Sequence, residues 1–506
     1  SYFVYEPFNL LQKFFESKEL LAIERRFARC RRLDIAKCFD NIYSHSVSWA
    51  IKGKASAKSE KACGHTFDAR IDAFMQRSNH RETHGILIGS EFSRIFAEII
   101  LQDIDARTKE QLQRAHAANR SGSEGQSALQ DGREFTVRRY IDDYFVFYND
   151  DRVADEVQGA LESQLAAYKL FLNEKKTSDT SRPFITTISA AKREAHKLFA
   201  EELDFDVNEF SGEQQSTNSL PNRRFRSTKI LCSLRLILSK REVSIADTSS
   251  SLLKQLSILV NKKLVLFKSG HASVVYASHW LRCVLDITFY LFAVDIRFRT
   301  SVLVGRMVSD LTDSFPLLPV SITNDVEDVI LRESLAILNQ VVETRDSCRL
   351  EMANFLISLR GLKQFWRIPE SLVRFLGEPP PGEQKGLDYF LVVSLLYSVG
   401  DREEYRQLQT EIVTGAVARI DCATNLIDET ELVSLSLDLL SCPWVPRASK
   451  NIIANRLMKS LGTPNPSTGE VDAFVSEFAR ATWLFDWRST VSNSVYLQKK
   501  ELSLSY

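Results

Sequence analysis

The chain has 506 residues, of which 44% are hydrophobic and 26% charged, and its formal net charge is zero. That length is too great for one ordinary core and calls for two or more domains of a soluble globular protein. Zero net charge excludes overall basicity as a means of holding nucleic acid, so any such surface must come from local asymmetry.

The opening, SYFVYEPFNLLQKFF, mixes acidic and polar residues with apolar ones, unlike a signal peptide. Next, RRLDIAKCFDNIY (31–43) holds Asp34 at the start of a short apolar segment. HRETH (80–84) spaces two histidines four apart, but its glutamate sits at the wrong offset for a zinc-protease helix, so the stretch reads as a loop. ACGH (62–65) likewise reads as structural. EFSRIFAEIILQDIDARTKEQLQRAH (91–116) repeats its apolar residues at helical spacing and predicts a long helix. AANRSGSEGQSALQDGRE (117–134) predicts a mobile surface loop. FTVRRYI (135–141) and YFVFY (144–148) alternate as strands around Asp142 and Asp143.

Beyond residue 186 strand-like alternation almost disappears. Amphipathic segments follow one another at 190–203, 246–267, 273–294, 326–343, 389–400 and 429–442, broken by turns such as GEPPPGEQKG (377–386) and GTPNPSTGE (462–470). A mixed α/β front and an all-α back follow, the back stacked in a repeat-like array without a clear period. NRRFRSTK (222–229) and VNKKLVLFK (260–268) combine cations with aromatics, as nucleic-acid surfaces do, although charged helix faces share that pattern more often. Trp366, Trp444, Trp483 and Trp487 read as core of the array. The longest apolar run, YFLVVSLLYSV (389–399), is too short to span a bilayer. Eight scattered cysteines without a CxxC pair argue against zinc ribbons and disulfide scaffolds and point to a reducing, cytoplasmic setting with no membrane partner.

The adjacent acids need a physical reason. A buried carboxylate is costly unless its charge is offset, and two neighbours repel unless a tight turn or a cation accommodates them. With strands on both sides, the natural geometry is a hairpin carrying the pair at its tip. Oxygen ligands presented this way suit a hard divalent ion, Mg²⁺ above all. An ordinary surface Asp-Asp turn is the bland alternative. If the Asp34 segment is a neighbouring strand, three carboxylates surround the site, a set able to organise a triphosphate around two metal ions.

LDIAKCFD, GILIGSEFSRIFAE (85–98), YIDD (140–143) and LNEKKT (172–177) resemble motifs A to D of the reverse transcriptases, in that family's order. The resemblance implies an α+β palm, an antiparallel sheet with helices, working with Mg²⁺ or alternatively Mn²⁺, taking dNTPs and producing DNA. It implies Asp34 and Asp142 as metal ligands, with Asp143 beside them and the Ile35 carbonyl as an additional ligand. Phe39 falls at the steric gate that favours deoxynucleotides, a place a core aromatic also fits, and Tyr140 lies near the primer end. Gly85 and Gly89 bracket the motif B turn. Lys176 matches the motif D lysine, a proton donor to the leaving pyrophosphate, with Lys175 as the neighbouring alternative and a solvated lysine pair as the plain one.

Two departures stand out. Motif B usually carries Pro-Gln before its second glycine, where this chain has Leu87 and Ile88. Only 33 residues precede Asp34, fewer than a fingers subdomain needs, so either the N-terminus is lacking or another element supplies cations. Arg25, Arg26, Arg29, Arg31 and Arg32 are candidates, and a solvated helix face explains them equally well.

The finer resemblance, carried by SYFVYEPFNLLQKFFESKEL, FDNIYSHSVSWAIKGKASAK and LNEKKTSDTSRPFIT, is to bacterial abortive-infection and other defence-associated reverse transcriptases. It implies a palm with partial fingers over 1–185 and a large all-α HEAT-like helical repeat domain over 186–506 in place of the thumb. That group is linked to antiphage defence and to DNA synthesis lacking a conventional template, with RNA or a non-coding RNA as the template otherwise. In some members it is also linked to protein priming, which leaves DNA covalently attached, and to homo- or hetero-oligomers. Many hydroxyls, Tyr2 and Tyr5 included, are equivalent as priming sites. A scaffold or nucleic-acid-binding protein using only the helical array is the rival from another class. A retroelement polymerase is disfavoured, with no endonuclease or maturase thumb recognisable.

Overall fold

A computed structural model describes residues 11–59, 65–119, 129–205, 225–269, 274–344, 348–378 and 387–488. The expectations at Tyr2, Tyr5, Cys63, 222–224 and 120–128 of the 117–134 loop lie outside them, and 117–119 of that loop are instead the last residues of a helix. The chain divides into two compact units, Ser1–Ile185 and Thr186–Tyr506.

The first unit is built on a four-stranded antiparallel sheet. Its elements are α1 (Leu11–Phe15), α2 (Lys18–Arg26), β1 (Arg29–Asp34), α3 (Cys38–Asn41), α4 (Ser46–Lys52), α5 (Lys54–Ser59), α6 (Phe67–Ser78), α7 (Glu91–Asn119), β2 (Phe135–Tyr140), β3 (Asp143–Tyr148), α8 (Asp151–Ala167) and β4 (Ser178–Ser181). The strand order is β2-β3-β1-β4.

Because side chains alternate across a strand, the register sorts them onto two faces. Cys30, Phe145 and Phe147 pack with Phe14, Leu20, Ile23 and Phe27 of the first two helices and their flanks. Leu33, Tyr144 and Val146 take the other face, against Ile100 and Ile104 of α7 and Leu161 and Leu165 of α8. Strand β4 was not legible: SDTS is polar and exposed along its length, held by backbone pairing to β1 rather than by burial. A short polar strand suits a sheet edge, where apolar side chains would invite further pairing.

The second unit is all-α among its described residues: α9 (Thr187–Leu203), α10 (Ser227–Lys240), α11 (Ile245–Lys268), α12 (Val274–Val294), α13 (Phe298–Ser314), α14 (Val320–Thr344), α15 (Arg349–Leu359), α16 (Glu370–Gly377), α17 (Tyr389–Val399), α18 (Arg406–Asp421), α19 (Thr430–Ser441), α20 (Arg447–Ser460) and α21 (Thr468–Phe478). Odd-numbered helices from α9 to α21 pack each on the next odd one, and even-numbered helices from α10 to α20 do the same. This two-layer stacking of helix pairs is the HEAT-like array expected, each pair burying its apolar faces on its neighbours. Trp280, Leu281, Val284, Phe289 and Phe292 of α12 are essentially inaccessible. Ser244 and Asp247 form a capping box that starts α11, and Ser467 and Glu470 do so for α21.

Two tryptophans depart from the expected core placement. Trp487 is buried and Trp444 packs partly against the core, but Trp366 is 59% exposed and Trp483 36% exposed. Both sit outside the long helices, Trp366 on a single turn after α15 and Trp483 past the end of α21, where it stacks on Phe478. The last residues of NRRFRSTK, Ser227 to Lys229, open α10, whose Ile230, Leu234 and Leu238 form a buried stripe. Within VNKKLVLFK, Lys263 is itself buried and paired to Asp204 at 2.6 Å, while Lys262 reaches the same carboxylate from the surface at 2.9 Å. Among the described residues, no helix is long and apolar enough to cross a membrane.

Near the end of the array, Asp438 of α19 is completely buried. One carboxylate oxygen accepts from the backbone of Leu484 at 3.1 Å and Phe485 at 3.0 Å, and the other from the Tyr389 hydroxyl at 2.6 Å. Its carbonyl accepts from the Trp487 indole at 2.9 Å. One residue therefore ties the 484–487 segment onto the helices.

Candidate active site

The acidic pair lies at the β2–β3 hairpin, with one refinement. Tyr140 pairs with Asp143 in the ladder, so Ile141 and Asp142 make the tip and Asp143 is the first residue of β3. Ile141 has φ +57°, a left-handed conformation that a β-branched residue rarely adopts. Such strain persists only where surrounding structure holds it, and it clusters at functional sites. Neighbouring β1 is in register with Asp34 opposite Asp143, and the Ile35 N–H donates to the Asp142 carbonyl at 3.3 Å. The structure thus brings Asp34, Ile35, Asp142, Asp143 and Tyr140 together.

Each outer carboxylate has a cationic partner. Lys176, on a short turn after residue 173, reaches Asp34 at 3.1 Å, and Asn173 donates to the same carboxylate at 3.3 Å. The lysine side chain is 62% exposed and Asp34's only 10%, so the lysine reaches in from solvent. Arg32 grips both oxygens of Asp143, at 3.0 and 3.1 Å. Two residues before Asp34 on the same strand face, it is the member of the 25–32 arginine group brought to the site. Arg29 instead pairs with Asp151, and Arg31 with Asp155 and Asp179. Lys175 lies exposed on the same short turn as Lys176.

Asp142 is half-enclosed at the tip. Burial pushes its carboxyl above the usual range, and the charges of Asp143 and Asp34 push the same way, with Lys176 opposing. Behind it, burial raises the Cys38 thiol to about 12. Among the described residues no group of three or more His, Cys, Asp or Glu is gathered tightly enough to hold a metal as they stand; Lys176 is paired to Asp34 and Arg32 to Asp143. The donor set nonetheless fits a hard divalent cation: three carboxylate residues, one destabilised in its charged form by the other two.

Sequence reasoning missed the support behind the tip. Arg139, facing α7, forks onto Glu98 at 2.7 and 2.9 Å and onto Asp105 at 2.8 Å, and also donates to the Ile141 carbonyl at 3.0 Å. The Tyr144 hydroxyl donates to Asp105 at 2.7 Å. Burial works to raise the Glu98 carboxyl, but the arginine outweighs it and holds the group below its ordinary value. The available signal was an arginine inside an apolar strand together with two acids seven apart on one helix face.

The motif B loop folds back on motif A. Gly85 N–H donates to Ile42 O and Ile86 N–H to Phe39 O, both at 2.9 Å. Phe39, on α3, is half-buried at the edge of the α7-side core, consistent with its reading as a core aromatic, and the gate role stays a proposal. Leu87 and Ile88, in place of Pro-Gln, are exposed. Gly85 has φ +82° and a Cβ there would stand 3.1 Å from the Asp40 carbonyl, whereas at Gly89 (φ +108°) a Cβ meets open space. Gly85→Ala is therefore expected to lower stability by about 1–3 kcal/mol, strain plus a backbone clash, and Gly89→Ala by less. Parallel thermal unfolding of the two variants checks the order.

An antiparallel sheet with a carboxylate at the end of β1 facing a two-acid hairpin defines a palm of the nucleotide-polymerising type. Residues 8–215 match the family model described as "Reverse transcriptase (RNA-dependent DNA polymerase)". Over that segment, less than half of its length, the chain is similar to reverse transcriptases, whose domains generally use divalent metal ions. No curated protein matches it. Similar solved structures include telomerase from Candida albicans in complex with a TWJ fragment of telomeric RNA, at 13% identity over 56% of this chain and 50% of that one, with TM-score 0.23. Apo telomerase from Candida tropicalis aligns at 11% identity over 80% of this chain and 56% of that one, with TM-score 0.26. This chain thus spans about half the length of those chains, and TM-scores this low support no further conclusion.

Proposed function

We propose that the chain is a Mg²⁺-dependent DNA polymerase of the defence-associated reverse-transcriptase group. In this reading residues 1–185 are a palm with partial fingers and 186–506 a helical array in the place of a thumb. The observation that carries it is the register of Asp34 against Asp143 with Asp142 at the hairpin tip, inside a segment that matches the reverse-transcriptase family.

Asp34 and Asp142 would hold the metal, with Asp143 and the Ile35 carbonyl beside them. Divalent metal bound there lowers the pKa of the attacking hydroxyl and offsets charge on the phosphates. The 3′-hydroxyl oxygen, or a protein hydroxyl for the first nucleotide, forms a bond to the α-phosphorus of a dNTP. The α–β phosphoanhydride bond breaks and pyrophosphate leaves; the hydroxyl proton passes to solvent. Lys176, exposed beside Asp34, donates a proton to the leaving pyrophosphate. Phe39 packs against the sugar and disfavours a ribose hydroxyl, and Tyr140 lies at the primer end. Asp143, neutralised by Arg32, serves less as a ligand than Asp142. Mn²⁺ substitutes for Mg²⁺. The antiphage role, an RNA or non-coding RNA template or none, covalent product and oligomeric assembly rest on the motif resemblance.

The test incubates purified chain with labelled dNTPs and Mg²⁺, with and without added RNA. Incorporation supports the reading, and label that stays with the protein after denaturation supports protein priming. Absence of incorporation under every condition defeats it in favour of a scaffold.

A further inference from the structure

We propose that Arg139 is the positioning residue that sets the height and tilt of Asp142 for metal binding, an inference that rests on the polymerase reading. Arg139 stands on the sheet face away from the carboxylates, since its neighbour Tyr140 pairs with Asp143 and Arg139 with Tyr144. From there its guanidinium holds the Ile141 carbonyl at 3.0 Å, the peptide that immediately precedes Asp142. That same residue has the strained φ of +57°. The guanidinium is not free to follow the hairpin: Glu98 and Asp105 clamp it at 2.7–2.9 Å, both on α7. Tyr144, on the strand that leaves the tip, is locked to Asp105 at 2.7 Å. The tip is therefore fastened to a long helix through one planar, multiply bonded group.

A lysine cannot reproduce this. It has one nitrogen, so it reaches either the acids or the Ile141 carbonyl but not the whole set. A purely packing role would make Arg139 matter for stability alone. A positioning role makes it matter for the affinity of the carboxylate site, because partners one shell out orient the ligands.

The experiment titrates Mn²⁺ alone into the full chain and follows free Mn²⁺ by electron paramagnetic resonance. It compares wild type with Arg139→Lys, Glu98→Gln and the control Asp142→Asn. Circular dichroism and thermal melting report folding. The expected result is a Kd for Mn²⁺ raised by about 10- to 100-fold in Arg139→Lys. Glu98→Gln should shift it less, in the same direction, and Asp142→Asn should remove the tight phase. In the incorporation assay Arg139→Lys and Glu98→Gln should need proportionally more Mg²⁺, with the KM for dNTP little changed. Wild-type Mn²⁺ affinity in a folded Arg139→Lys protein, or in Glu98→Gln should the lysine variant not fold, overturns the positioning role. So does a wild-type chain with no tight Mn²⁺ phase. The polymerase reading fails separately, by absence of incorporation in a wild-type chain that does bind Mn²⁺.

Discussion

Asp34→Asn is expected to reduce nucleotide incorporation by at least about 10²–10³-fold, the loss typical of removing one preorganised charge-stabilising group. The substitution keeps size and one acceptor oxygen, so Asn173 and Lys176 retain a partner, and the exposed lysine pair contributes little to stability in any case. The ladder that places residue 34 opposite Asp143 is made by backbone and stays intact. Activity and folding should therefore separate. Incorporation measured at saturating Mg²⁺, beside a melting curve that moves little, checks both halves. A variant that retains more than a tenth of wild-type incorporation contradicts the assignment of Asp34.

Asp438→Ala is the largest stability effect expected. Truncation leaves the amides of Leu484 and Phe485 and the Tyr389 hydroxyl, all part-buried, without the fully buried carboxylate that accepts from them. A fully buried orphaned group costs about 1–3 kcal/mol, and with three part-buried groups affected together a loss of about 3 kcal/mol is expected at this end of the array. Asp438→Asn should cost less, because its carbonyl oxygen still accepts from both amides while its nitrogen can donate to the tyrosine oxygen. Stacked helix pairs can unfold in parts, so a local readout is better than one global midpoint. Hydrogen exchange at the Leu484 and Phe485 amides should accelerate strongly in the alanine variant and moderately in the asparagine one. Unchanged protection would show that the segment is held by Trp487 and its apolar neighbours instead.

The carboxylates were legible because their setting is physically odd: two adjacent acids between apolar strands, and a third at the head of another apolar segment. The helices at 246–267, 273–294 and 326–343 were legible through their apolar period, and α11, α12 and α14 run within six residues of those bounds at either end. Strand β4 was not, since an exposed polar edge carries no pattern of burial. Nor was α13, although Val304, Met307, Val308 and Leu311 form its buried stripe once the helix is known. The partners of the acids were the least visible part. Arg32 lies two residues from Asp34 and Arg139 three from Asp142, yet which acid each arginine meets depends on strand register and on α7, both products of the tertiary fold. The refinement at the tip has a similar origin: alternation alone let 135–141 run on to Ile141, whereas the ladder closes at Tyr140 and Ile141 turns the chain.

The central claim, that the hairpin acids serve nucleotide transfer, meets its most direct test in one paired measurement. Full-length wild type and Asp142→Asn are incubated with labelled dNTPs and Mg²⁺, with and without RNA, and acid-insoluble label is counted against time. The account expects label to accumulate with wild type and to stay at background with Asp142→Asn, both proteins being equally folded by circular dichroism. Equal incorporation by the two proteins, or none by wild type under any condition, would contradict it.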